Sequence, residues 1–200
     1  MKKIFAVVLV LFVVLGGLFA ARTDISASVG YGLENYWQYG EYCGTQSLSL
    51  GLTAYRGARW GFVFDANYEF PQIWNIDGTI YHKEDYKDII KNSYIFAFTL
   101  GPAYTLLTGR FSSYVGFGPT YKESISLGFS EDDFEYDIDL GLGAVLMLKY
   151  YITDTVFANF SLGPKVLFYS FIKYNQPEFV VDEGVLAIYT TARLGVGVSF

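Results

Sequence analysis

Apolar and polar residues alternate along most of this chain. The clearest run is 185–200, V-L-A-I-Y-T-T-A-R-L-G-V-G-V-S-F. Leu186, Ile188, Thr190, Ala192, Leu194, Val196, Val198 and Phe200 share one phase. Ala187, Tyr189, Thr191, Arg193, Gly195, Gly197 and Ser199 share the other. Side chains point to opposite faces along a strand, so one face here is apolar and the other small and polar. The same period recurs over 25–37, 47–55, 60–70, 94–104, 111–121, 136–150 and 156–168. Eight strands are therefore predicted. Their connections alternate: 38–46, 71–93, 122–134 and 172–184 are long and polar, whereas 56–59, 108–110 and 152–154 are short turns.

Charge follows the phase. The apolar phase of the eight strands carries none, and the opposite phase carries Glu34, Asp65, Glu69, Asp137, Asp139, Lys149, Lys165 and Arg193. A soluble sandwich turns its apolar faces inward. A membrane barrel turns them outward and keeps polar groups inside. The period alone fits both, and the spacing of aromatics separates them. Trp60 and Phe70, Tyr94 and Tyr104, and Phe111 and Tyr121 are each ten apart on the apolar phase. A tilted membrane strand crosses in about 9–11 residues. Aromatics favour both interfaces, so these pairs mark two girdles.

The first residues bear on the same choice. Lys2 and Lys3 precede an apolar run over 4–15 and a small-residue exit over 16–21. That order is a secretory signal peptide over 1–21, leaving 22–200 as one barrel domain. The alternative is a membrane anchor, since 4–21 is just long enough to span. Beyond it no apolar run is long enough for a membrane helix, so a membrane location requires a closed barrel. The chain has 20 acidic and 14 basic residues, which argues against nucleic acid as a partner. Cys43 is the sole cysteine, so no intrachain disulfide forms.

The segment Arg193-x-Gly195-x-x-Val198-x-Phe200 resembles the C-terminal β-signal of bacterial outer-membrane barrels. With the eight alternating strands behind an export signal, the chain resembles the small outer-membrane β-barrel superfamily that includes the OmpA barrel, OmpX and OmpW. The resemblance implies an all-β, eight-stranded antiparallel up-and-down transmembrane barrel. It also implies a monomer in outer-membrane lipid of a diderm bacterium, both termini periplasmic, handled by the barrel-assembly machinery during biogenesis. It supplies no catalytic motif.

Each candidate for chemistry has a plain structural reading beside it. The inward charges line a pore or ligand cavity, or else pair internally and fill an interior barely wide enough for side chains. The second reading is favoured. His82 is the only histidine, near Glu84, Asp85 and Asp88. With no second histidine it is read as solvated surface, and Ser93 and Ser124 complete no triad spacing. No catalytic, cofactor or metal residue is expected. Tyr36, Trp37, Tyr39, Tyr42, Trp74, Tyr81, Tyr86, Tyr174 and Phe179 fall in the long connections, where they suit either recognition or interface packing. Residues 81–91 are read as a short helix. Pro102, Pro119 and Pro164 each follow an inward glycine, and bulges or ladder breaks are expected there. The leading function is a non-enzymatic barrel serving as structure or as a surface-recognition platform. The alternatives are a narrow passage for small, apolar molecules and a lipid-modifying enzyme.

Overall fold

The computed structural model describes residues 22–38, 41–76, 78–84, 93–127, 134–173, 179–182 and 186–200. Residues 1–21, read above as a signal peptide, lie outside them. Ten strands are present: β1 (Arg22–Gln38), β2 (Glu41–Gly57), β3 (Trp60–Ile76), β4 (Thr79–His82), β5 (Tyr94–Leu107), β6 (Phe111–Leu127), β7 (Phe134–Tyr151), β8 (Val156–Lys173), β9 (Phe179–Asp182) and β10 (Leu186–Ser199). The eight long ones form an antiparallel ring in the order β10-β1-β2-β3-β5-β6-β7-β8, closed by β10 on β8. β4 and β9 are short additions to the ends of β3 and β8. No helix among the described residues is long and apolar enough to cross a membrane.

The registers fix the barrel's shape. One line of cross-strand partners runs Ser26, Thr53, Asp65, Thr99, Thr120, Gly141, Leu167, Ala187 and back to β1 at Tyr36. The shear is therefore 36 − 26 = 10 residues. Eight strands with that shear tilt about 40° and set the backbone on a cylinder of radius about 8 Å. Ten residues at that tilt rise about 25 Å, the height of the apolar band of a membrane barrel. The ten-residue aromatic spacing thus matches one crossing.

The apolar phase faces outward. Leu194 and Val196 are 65% and 62% exposed, whereas their neighbours Arg193 and Thr191 are 1% and 0%. Exposed leucines and valines beside a buried arginine reverse the usual distribution of a soluble protein. Both ends of the described chain meet at the short-turn end, where Thr23 and Phe200 exchange backbone hydrogen bonds of 2.9 and 3.0 Å.

Several expectations need correction. The segment 38–46 is no loop: β1 and β2 stay paired up to Gln38 and Glu41, so residues 39 and 40 alone join them. Cys43 consequently sits in β2 on the inner phase and is buried. Beyond the apolar band the ladder continues without apolar alternation, because paired backbone groups do not need it. The helix read over 81–91 is absent at its start, where Tyr81 and His82 belong to β4; residues 85–92 lie outside the described set.

The prolines cause breaks and not bulges. Pairing between β5 and β6 stops after Thr99 opposite Thr120 and resumes, in unchanged register, at Ala103 opposite Gly116. The β7–β8 ladder is likewise interrupted between Gly143 and Leu146. Each proline keeps its other neighbour: Pro102 faces Phe62, Pro119 faces Leu142 and Pro164 faces Thr190. Proline has no N–H to donate, so one side of its ladder is lost. At the first break the walls still touch, since a Cβ on Gly101 would lie 2.0 Å from the Phe117 carbonyl oxygen. The register shifts fall elsewhere, beside Gln72, Leu106 and Phe168.

Candidate functional site: the lumen and its rims

The inner phase builds a layered core. Nearest the short turns, Lys149 on β7 pairs with Asp24 on β1 across three positions of the ring. The rings of Tyr55, Tyr114, Tyr151 and Phe157 surround its ammonium at 5.2–5.7 Å from their centroids. Such a cation between aromatic faces is held by their quadrupoles as well as by the carboxylate. Next comes an apolar layer of Tyr55, Val63, Ala103, Tyr114, Val145 and Met147. Tyr55 and Tyr114 stack across it at 4.4 Å.

Above that layer Arg193 on β10 reaches Asp65 on β3 at 2.5 Å. Asp65 also accepts from the Thr53 hydroxyl at 2.6 Å, and Arg193 donates to the Ala66 carbonyl at 3.2 Å. Thr99 and Thr120 share a hydrogen bond of 2.7 Å. Asn67, Glu69 and Tyr189 form one hydrogen-bonded cluster, with Lys165 donating to Asn67 at 3.4 Å. Lys122 on β6 then bridges Glu34 on β1 at 2.5 Å and Asp139 on β7 at 2.8 Å. β1 and β6 are four positions apart in a ring of eight, so this contact spans the diameter.

All eight inward charges read from the sequence lie on the inner phase. Glu34, Asp65, Glu69, Asp139, Lys149, Lys165 and Arg193 are buried, and Asp137, opposite Ser124 and Ile172, is half-buried. Two partners were missed. Asp24 precedes the first apolar residue of its strand and Lys122 follows the last aromatic of its own. Extending the alternation by one residue at each strand end reveals both. A third charge, that of Glu123, breaks the charge-free rule of the outer phase. Glu123 accepts from the hydroxyls of Tyr94 at 3.3 Å and Tyr121 at 3.0 Å, which shield it at the long-link end.

The six spaced aromatics all lie on the outer phase, Trp60 and Phe111 being more than half exposed. Trp60 and Tyr104 are cross-strand neighbours with rings 4.8 Å apart, edge to face. In the terminal segment Arg193 points into the lumen, Gly195 packs against Ser28, and Val198 and Phe200 point outward. His82 is exposed on β4 opposite Ile73; no described hydrogen bond joins it to Ser93 or Ser124. Among the described residues no group of three or more metal-capable side chains assembles. Of the connection aromatics, Trp74 and Tyr81 are cross-strand partners in β3 and β4, and Trp37 and Tyr42 in β1 and β2. Tyr39, Tyr86 and Tyr174 lie outside the described residues.

No family model and no curated protein matches the chain. Solved structures do. The outer membrane protein OprG from Pseudomonas aeruginosa has a TM-score of 0.60 at 15% identity, over 88% of this chain and 95% of that one. Neisserial surface protein A has 0.52 at 16%, over 90% and 100%. The N-terminal β-barrel domain of Pseudomonas aeruginosa OprF has 0.51 at 16%, over 90% and 97%. Identity this low carries fold alone. The chain has the fold of the small outer-membrane β-barrels.

Proposed function

From a barrel of the small outer-membrane class, we propose a non-enzymatic integral outer-membrane protein that works at the cell surface above a sealed lumen. The bridge from Lys122 to Glu34 and Asp139 carries this reading. It ties opposite walls together, and the Arg193–Asp65 pair and the tyrosine layer stand in series with it. An interior of radius about 8 Å filled by such side chains leaves little lumen for solute. What remains accessible is the end where the strands overrun the membrane. β1, β2 and β3 have 17 residues each, and about ten suffice to cross at this tilt. The surplus, with β4, forms a paired extension carrying Trp74 and Tyr81.

In this reading residues 1–21 direct export, both chain termini face the periplasm, and the 193–200 segment is handed to the barrel-assembly machinery. Planar-bilayer recording from the refolded barrel tests it. Conductance should stay at the lipid baseline. A steady ohmic conductance would refute the sealed lumen and favour a passage for small molecules.

A further inference from the structure

Four of the five arginines gather at the short-turn end: Arg22, Arg56, Arg59 and Arg110. The fifth, Arg193, is inside the lumen. The described lysines lie in the lumen, at 122, 149 and 165, or at the opposite end, at 83 and 173. In a chain with 20 acidic and 14 basic residues, a rim of arginines runs against the overall charge. Arg22 is spoken for, with Asp24 at 3.4 Å and its guanidinium 4.4 Å over the Tyr151 ring. Arg59 and Arg110 are different. Both are exposed, and no described carboxylate lies within ion-pair distance of either.

Both are nevertheless held in place. Arg59 donates its Nε to the Tyr104 hydroxyl at 2.7 Å, with its guanidinium 5.5 Å from that ring. Tyr104 packs in turn on Trp60. Arg110 donates its Nε to the Tyr151 carbonyl at 3.3 Å and lies 5.3 Å over the Tyr150 ring. In each case the inner nitrogen is bound to the barrel, and no described hydrogen bond uses the outer pair. The two turns that carry them join β2 to β3 and β5 to β6, and β3 neighbours β5, so they share one arc of the rim. The third turn carries the exposed Asp154 and no arginine.

A planar guanidinium with two nitrogens free matches a phosphate oxygen pair, which an ammonium does not. The supporting rings stand at the edge of the apolar band, the level at which headgroups sit. We propose that this arc is a docking surface for anionic phospholipid in the periplasmic leaflet. Arg59 and Arg110 take headgroup phosphates there, while the outward rings of Trp60, Tyr104 and Tyr150 cover the first carbons below. The assignment of leaflet rests on the membrane orientation proposed above; the headgroup chemistry does not.

The test uses the refolded barrel in nanodiscs, with bound lipid counted by native mass spectrometry. The probes are phosphatidylglycerol and phosphatidylcholine. Wild type should retain phosphatidylglycerol preferentially. Arg59→Gln and Arg110→Gln should each weaken that retention about fivefold, and the pair about twenty-five-fold. Heat-modifiable gel mobility establishes that each variant is folded. Arg59→Lys keeps the charge without the fork and should fall between wild type and Arg59→Gln. Equal retention of the two lipids by wild type overturns the proposal, as does unchanged retention in the folded double variant. Loss of sedimentation with peptidoglycan in that variant, with lipid retention intact, overturns it in favour of a cell-wall partner. Orientation is measured separately, with Ala58→Cys in a Cys43→Ser background. Labelling of that thiol by an impermeant maleimide in intact cells would invert the orientation, whatever the lipid counts show.

Discussion

Replacing Lys122 by methionine should destabilise the barrel by about 4–5 kcal/mol. Lys122 is 4% exposed, and Glu34 and Asp139 are 6% each. Its ammonium donates to both carboxylates, at 2.5 and 2.8 Å. Methionine fills nearly the same volume, so little cavity is made. What is lost is the one cation that pairs with these two buried carboxylates among the described residues. Removing one partner of a buried pair costs about 3–5 kcal/mol, and two stranded acceptors place this case at the upper end. The triple variant Glu34→Gln, Lys122→Met, Asp139→Asn removes every charge of the cluster. It should return to within about 1–2 kcal/mol of wild type, because a buried ion cluster contributes little beyond its neutral replacement. Urea titration in phospholipid vesicles, followed by tryptophan fluorescence and by gel mobility, measures both. A Lys122→Met barrel within about 1 kcal/mol of wild type would refute the diametric bridge.

Two further outcomes concern assembly and the outer face. Phe200 is 71% exposed on the outer phase, and Phe200→Asp should reduce outer-membrane insertion of exported protein; unchanged heat-modifiable membrane protein would count against a β-signal at 193–200. Leu142 is 59% exposed, in register with Pro119 and Val166, and Leu142→Arg should cost about 2–4 kcal/mol of refolding stability in lipid. The adjacent Gly143→Ser is not the mild control that an inward polar change first implies. A Cβ there would lie 2.4 Å from the Thr120 hydroxyl and 2.7 Å from that of Thr99, so it too should destabilise the barrel.

The membrane-crossing parts of the strands were legible because lipid imposes one chemistry on every second residue. Where that solvent ends, the signal ends with it. Reading a polar loop over 38–46 followed directly from losing the apolar phase, although β1 and β2 remain paired there. Asp24 and Lys122 were missed for the same reason, each lying one residue past an apolar boundary. The slips beside Gln72, Leu106 and Phe168 invert the phase of the alternation, but each lies near a strand end, where too few apolar residues follow for the inversion to be read. Partner choice inside the lumen was out of reach altogether. Glu34 meets Lys122 only because a shear of 10 brings those levels together, and shear is a property of all eight registers at once.

One part of that pairing does leave a trace in the sequence. A cylinder of radius about 8 Å cannot take long side chains at one level from every wall. Glycines should therefore face the places that arginine and glutamate occupy. Gly51 on β2 faces Arg193 from β10, with its absent Cβ only 2.0 Å from a guanidinium nitrogen. Gly32 on β1 faces Glu69 from β3 at 2.1 Å from the carboxylate. In both cases the glycine's strand is two positions around the ring from the charge. These two inward glycines thus mark where a neighbouring wall sends a long charged side chain, and Gly51→Ala should displace Arg193 from Asp65 without altering any charge.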